Sequence, residues 1–215
     1  MTTTLYIMTY PFLWFGLLSF GLAFCRMRIS KHKSKLVLAI ILLSIMCVTA
    51  QHYELAYLFG ILQPVGVTLC FWCFYKLRLF HAFLIALTIF VSGVLSEILY
   101  NSIITGFHFE QTLFYQQHDT AITSTLMTLH HLGLYVLLHR LRIGFSFITP
   151  IVRQEAKLEA ISRTWVIIAS GLLFFLIMFN ISVYFNNHLL VPITISFIVC
   201  WSIVLILSYR KELEH

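Results

Sequence analysis

The sequence predicts an all-α, polytopic membrane bundle of seven spanning helices, with the N-terminus outside and the C-terminus in the cytoplasm. Two observations carry this expectation. Of 215 residues, 60% are hydrophobic and only 10% are charged, with a mean hydropathy of +0.92. That leaves too little polar surface for a water-facing shell, so the solvent for most of the chain must be lipid. In addition, all 14 Lys and Arg fall on one side of a seven-helix arrangement, the side that the positive-inside rule makes cytoplasmic. A wrong helix count would scatter those charges, so their agreement also tests the segmentation.

Apolar runs near the ~20 residues that span a hydrocarbon core lie at 5–25, 36–51, 55–75, 82–103, 121–138, 164–185 and 189–208. The first run lacks a basic leader and is followed by Arg26, Arg28, Lys31, Lys33 and Lys35, which makes it a spanning helix rather than a cleaved signal. The second is short and needs snorkelling flanks or a thinned bilayer. The third holds Gln63 beside Pro64, where a bend is expected, and Lys76 and Arg78 follow it. The fourth contains Glu97 and the fifth a polar stripe. Arg140, Arg142, Arg153, Lys157 and Arg163 come after the fifth. There Leu158, Ile161 and Trp165 share a face and Glu159 can pair with Arg163, as in an interfacial helix leading into the sixth run. The sixth holds Asn180. The seventh has a second bend at Pro192 and ends at Arg210 and Lys211.

The opposite side carries Glu54, Glu110 and Asp119 with His52, His108, His118 and His188. Its one sizeable segment, about 104–120, is aromatic and mildly acidic, with Phe107, Phe109, Glu110, Phe114, Tyr115 and Asp119.

A charge inside hydrocarbon costs about +2.5 to +3.5 kcal/mol even on the permissive insertion scale, so Glu97 needs a partner or a purpose. Gly93 and Asn101 lie one turn before and one turn after it, on the same face. Ser124, Thr128, His131 and Tyr135 follow helical spacing in the fifth run, a stripe that could face Glu97. In the assigned orientation Gln63, Glu97, Asn101, Ser124, Thr128 and Asn180 occupy the outer half of the bundle, which points to a cavity open to the exterior. Hydrogen bonding between helices explains such residues equally without a ligand.

His130 and His131 are adjacent and point to different faces, so they cannot chelate one metal; core hydrogen bonding is expected of them. Cys70 and Cys73 form a lone C-x-x-C with no second pair to complete a zinc site. No protease, acyl-transferase or phosphate-loop motif is present, and no cofactor, metal, catalytic residue or nucleic-acid partner is expected.

The stretch VSGVLSEILYNSIITGF, carrying Glu97 and Asn101, is followed by the outer loop and then by LHHLGLYVLLHRLRIGF, and the chain ends in SYRKELEH. This layout resembles the sensor region of the peptide-pheromone receptor histidine kinases of Gram-positive bacteria, of the accessory-gene-regulator, competence and bacteriocin-induction type. The resemblance implies a bacterial, multi-pass plasma-membrane receptor of a two-component quorum-sensing system. Residues 1–208 would form the sensor bundle and residues 209–215 the start of a cytoplasmic signalling helix. It further implies an extracellular peptide ligand, a homodimer, and a response regulator reached through a kinase domain that this chain lacks. The ligand would meet Glu97, Asn101, Gln63, Ser124, Thr128, His131, Asn180 and the aromatic and acidic residues of 104–120. Pro192, Arg210 and Lys211 would pass the signal on. A small transporter or substrate-binding subunit is the alternative.

Overall fold

The computed structural model describes residues 3–117, 121–141, 144, 170–171, 173–174, 176–179, 181–183, 195–196, 198–199 and 202. Asp119, Asn180, Pro192, Arg210, Lys211 and the expected interfacial helix lie outside the described residues, as do most of the expected sixth and seventh spans. Within the described residues the chain is all α: α1 (Thr3–Phe24), α2 (Lys33–His52), α3 (Phe59–Cys73), α4 (Leu79–Ile104), α5 (Phe109–Gln117) and α6 (Ala121–Leu141), with single 3-10 turns at Ile29–Lys31 and Ala56–Leu58. Four of these helices, α1, α2, α4 and α6, are long and apolar enough to cross a membrane; α3 is apolar but shorter.

The apolar runs become helices because a backbone among apolar side chains must satisfy its hydrogen bonds within its own segment, with Pro11 and Pro64 accommodated inside α1 and α3, and α1, α2 and α4 stop where their carbonyls find substitutes for the missing next turn. After α1 the amides of Arg26 and Met27 reach back to the carbonyls of Ala23 and Leu22 (both 2.9 Å), and after α2 those of Glu54 and Leu55 reach Gln51 and Ala50. After α4, Gly106 and Phe107 do the same with Ile103 and Ser102. This pair of hydrogen bonds requires a left-handed residue just past the helix. Arg26, Glu54 and Gly106 supply it with φ of 53°, 57° and 61°, the first two at the cost that a Cβ imposes in that region.

Two helices form the interior. More than half of the spanning stretch of α1 (56%) and α4 (61%) is buried, against 33% for α2 and 28% for α6. Glycines in α1 permit this. A Cβ on Gly16 would stand 3.0 Å from the Thr128 Cα and carbonyl oxygen, so α1 lies almost backbone to backbone on α6. Gly21 likewise leaves room for Ile89 of α4 and Phe71 of α3. The core built around these contacts includes Trp14, Leu18, Leu22, Phe71, Ile85 and Leu87.

The α2 helix is apolar on both faces. Leu36, Ala39, Leu43 and Cys47 are buried while Val37, Leu38, Ile41, Leu42 and Ile45 are exposed, the pattern of a helix whose outer side meets hydrocarbon. The helix succession brings the α1–α2 and α3–α4 connections and the end of α6 to one end of the bundle. Every Lys and Arg among the described residues is there, whereas Glu54 and Glu110 stand at the other end.

Candidate functional site

A cavity of about 110 Å³ lies toward the end of the bundle that carries Glu54 and Glu110. Its floor is apolar, made by Leu17, Ile89 and Met127, and it persists there because Gly93 has no side chain: a Cβ would sit 3.6 Å from Leu17 and 4.0 Å from Met127. Its walls are mixed. Tyr10 and Trp14 come from α1, Gln51 from α2, Gln63 and Pro64 from α3, Glu97 from α4 and Ser124 from α6. Tyr115 and Gln116 of α5 complete the lining, together with Leu176, Phe179 and Val183.

The polar walls are tied together in pairs. Gln51 Nε2 donates to the Tyr10 hydroxyl at 3.2 Å, joining α2 to α1. Gln63 Nε2 approaches Cys47 Sγ at 3.6 Å, joining α3 to α2. Asn101 is fully buried one turn beyond Glu97 and does not itself line the cavity. It donates from Nδ2 to Gln116 Oε1 (3.1 Å) and accepts at Oδ1 from the Thr123 hydroxyl (2.7 Å), so one side chain joins α4, α5 and α6. The Thr105 and Thr112 hydroxyls, 2.6 Å apart, add a second tie between the end of α4 and α5.

Glu97 is the one carboxylic side chain among the described lining residues, which include no Lys or Arg, and it already has a partner within the structure. Such a site suits groups that donate hydrogen bonds to a carboxylate and tolerate apolar walls.

Among the residues singled out from the sequence, Gln63, Glu97, Ser124 and Tyr115 come together in this cavity. Thr128 and His131 do not. The Thr128 hydroxyl donates to the Ser124 carbonyl (2.8 Å) within α6. His131 is fully buried, with Nδ1 2.7 Å from the Met127 carbonyl and Nε2 3.2 Å from the Ser92 hydroxyl of α4. A carbonyl only accepts, so Nδ1 carries the proton and neutral Nε2 accepts from Ser92. His130 Nδ1 pairs with the Tyr100 hydroxyl at 3.0 Å. The polar stripe of α6 therefore meets α4 at Ser92, below Glu97.

Phe107 (74% exposed), Phe109, Glu110 and Phe114 point away from the cavity on the connection and α5. The nine-residue α5 was not part of the sequence expectation for 104–120; it is the element that roofs the site. Tyr10, Trp14, Gln51, Gln116 and Thr123 were missed as well. Tyr10 could have been found by counting depth from the helix ends, since it lies as far inside the start of α1 as Glu97 lies inside the end of α4; Gln51, next to the last residue of α2, could not. Trp14 carries no such signal.

Among the described residues no three His, Cys, Asp or Glu converge to hold a metal ion. Compared with known proteins, the chain matches no family model, no curated protein and no solved structure.

Proposed function

We propose that residues 1–208 are the membrane-embedded sensor of a bacterial receptor for an extracellular signalling peptide. In this reading seven helices cross the plasma membrane, the N-terminus is outside, and residues 209–215 begin a cytoplasmic helix leading to a histidine kinase and its response regulator. The observation that carries the reading is the cavity under α5, polar at its walls, apolar at its floor and acidic through Glu97. The basic residues gathered at the opposite end support the orientation, since that end is cytoplasmic by the positive-inside rule. A peptide arriving at α5 would place one side chain in the cavity and favour one of two helix arrangements, and the receptor would signal as a homodimer by differential affinity for the two. The aromatic side chains left exposed at Phe107, Phe109 and Phe114 offer it further apolar contact.

The small volume favours a second reading, a transporter or substrate-binding subunit for a small solute, because about 110 Å³ holds one such molecule as readily as one side chain.

Thermal unfolding of the full chain in lipid nanodiscs separates the two. A ligand at about 100 times its Kd raises stability by ~2.7 kcal/mol, so fractions of source-culture medium that contain the ligand should raise Tm, and peptidase treatment should abolish the effect. A stabilising fraction that survives peptidase and accumulates in proteoliposomes would replace the receptor with a transporter. Reading the gene past codon 215 adds an independent check, since a phosphorylatable His helix and an ATP-binding domain there are expected of a receptor kinase.

A further inference from the structure

Two connections at the basic end of the bundle repeat one turn. After α1 the chain runs Arg26, Met27, Arg28, and after α3 it runs Lys76, Leu77, Arg78. Arg26 and Lys76 are both left-handed, with φ of 53° and 54°, and Arg28 and Arg78 are both extended. In each turn the middle, apolar residue is buried and anchors the loop. The flanking cations stay at the surface, with Arg26, Arg28 and Lys76 exposed and Arg78 half-buried. The rings of His32 and Tyr75, 5.7 Å apart, join the two connections. Lys31 and Lys33 flank His32 and Lys76 follows Tyr75, so one contact gathers cations from both loops.

Nothing among the described residues compensates this charge. The side chains of Arg28, Lys31, Lys33, Lys76 and Arg78 make no hydrogen bond or ion pair there, and no Asp or Glu of the described residues stands at this end. Helix dipoles do not account for the cluster either. Lys33 and Lys35 lie in the first turn of α2 and Arg78 is the N-cap of α4, positions where a cation is disfavoured. The positive-inside rule accounts for the side of the membrane on which the cations lie, but leaves them without a counter-charge in the folded chain.

The cluster borders apolar surface directly. Val37 and Leu38 lie one turn inside Lys33 and Lys35, Trp72 lies one turn before Lys76, and Leu79 adjoins Arg78; all four are exposed. Gly66 lets α3 pack closely on Leu43 and Met46 of α2, so the outer faces of the two helices adjoin. An indole such as that of Trp72 favours the headgroup level. Cations at the rim with apolar side chains beneath them match one molecule, a lipid with an anionic headgroup and acyl chains. A nucleic acid or an acidic protein would meet the cations and leave the apolar half uncovered.

We infer that the joined connections form a binding site for an anionic phospholipid, its phosphate among Lys31, Lys33, Lys76 and Arg78 and its acyl chains along the exposed faces of α2 and α3. Basic clusters beside spanning helices recognise such headgroups. The inference goes beyond the receptor reading and needs only that the bundle sits in a bilayer.

The test uses the full chain in phosphatidylcholine nanodiscs carrying an equal, small fraction of either phosphatidylglycerol or phosphatidylcholine with brominated acyl chains, which quench tryptophan on contact. The chain has four Trp, and the difference between the parent and Trp72→Phe isolates the emission of Trp72. Brominated phosphatidylglycerol should quench Trp72 more than brominated phosphatidylcholine. Lys76→Gln, and separately the double variant Lys31→Gln with Lys33→Gln, should weaken that preference by roughly fivefold for each cation removed, while Lys76→Arg keeps it. These variants are compared at unchanged Tm in nanodiscs without phosphatidylglycerol. Arg140→Gln is the control, since it lies at the same end on α6, which packs on α1 and α4, and it should leave the preference as it was. Equal quenching by the two lipids overturns the inference. So does a loss in Arg140→Gln as large as in Lys76→Gln, which would mean diffuse surface charge. Abolition of the preference by inorganic phosphate, at an ionic strength where chloride has no effect, would assign the cluster to a soluble anion and overturn the lipid site. Both leaflets of the nanodisc have one composition, so the result does not depend on which end is cytoplasmic, and failure here leaves the peptide reading to its own test.

Discussion

The Thr123 hydroxyl donates to Asn101 Oδ1 at 2.7 Å, deep between α6 and α4, while the other end of the same amide holds Gln116 of α5. Every polar atom of the Asn101 side chain that faces a neighbouring helix is thereby used, and the roof of the cavity is fastened to its wall. Replacing Asn101 with Leu leaves Thr123 and Gln116 to find other partners. We expect a loss of about 1–3 kcal/mol in unfolding free energy, toward the lower figure if lipid-embedded partners compensate. Amide exchange across residues 109–117 should quicken with it. Exchange in α5 at the parent rate would show that the tie does not hold the roof.

Gly16 and Gly133 make opposite predictions for the same substitution. Gly16→Ala drives a Cβ to 3.0 Å from the Thr128 backbone, where nothing flexible can yield, whereas a Cβ on Gly133 meets nothing within 4 Å. Gly16→Ala should destabilise by about 1–3 kcal/mol through overpacking, and Gly133→Ala should gain up to roughly 1 kcal/mol from helix propensity. Chemical denaturation of the two variants side by side measures both, and equal shifts would mean that α1 and α6 do not pack at this crossing.

His32 precedes α2 and sets its ring 5.7 Å from that of Tyr75. Its pKa lies below the ordinary value of 6.5, first through burial and then through the charges of Lys35 and Lys31. The folded chain thus resists a proton that the unfolded chain takes up near 6.5. The stability is complete above that pH and is lost as the pH falls through the lower, folded value. His32→Phe keeps the ring against Tyr75 and removes the titration, so the fall in Tm between pH 7.5 and pH 5 should be smaller than in the parent chain. An NMR midpoint for His32 at or above 6.5 would contradict the partial desolvation of its ring and the influence of the two lysines.

Cys25, Cys47 and Cys70 are buried, and Cys73 at the end of α3 is exposed. In a Cys200→Ala background, a membrane-impermeant maleimide should label Cys73 in inverted vesicles and not in intact cells. Labelling of intact cells would reverse the proposed orientation.

The helices themselves were legible without a structure. The runs at 5–25, 82–103 and 121–138 became Thr3–Phe24, Leu79–Ile104 and Ala121–Leu141, because a long apolar stretch without a break has few other ways to satisfy its backbone. The short second run became the 20-residue Lys33–His52, Lys33 and Lys35 entering the helix while their charged ends stay at its tip, as snorkelling allows. The grouping of Gly93, Glu97 and Asn101 on one face was legible for the same reason: helix geometry is local.

Which faces meet was decided only by tertiary packing. The helices are apolar nearly all round, as the exposed and buried sides of α2 both show, so periodicity does not say where the interior lies. Close approach at Gly16 put α1 against α6. That packing placed Trp14 and Tyr10 in the cavity, took Thr128 and His131 out of it, and let a nine-residue helix that no apolar run announces close over Glu97. Sequence determined the elements because their hydrogen bonds are satisfied within each segment. The site was left to the fold because its polar atoms are satisfied only between segments.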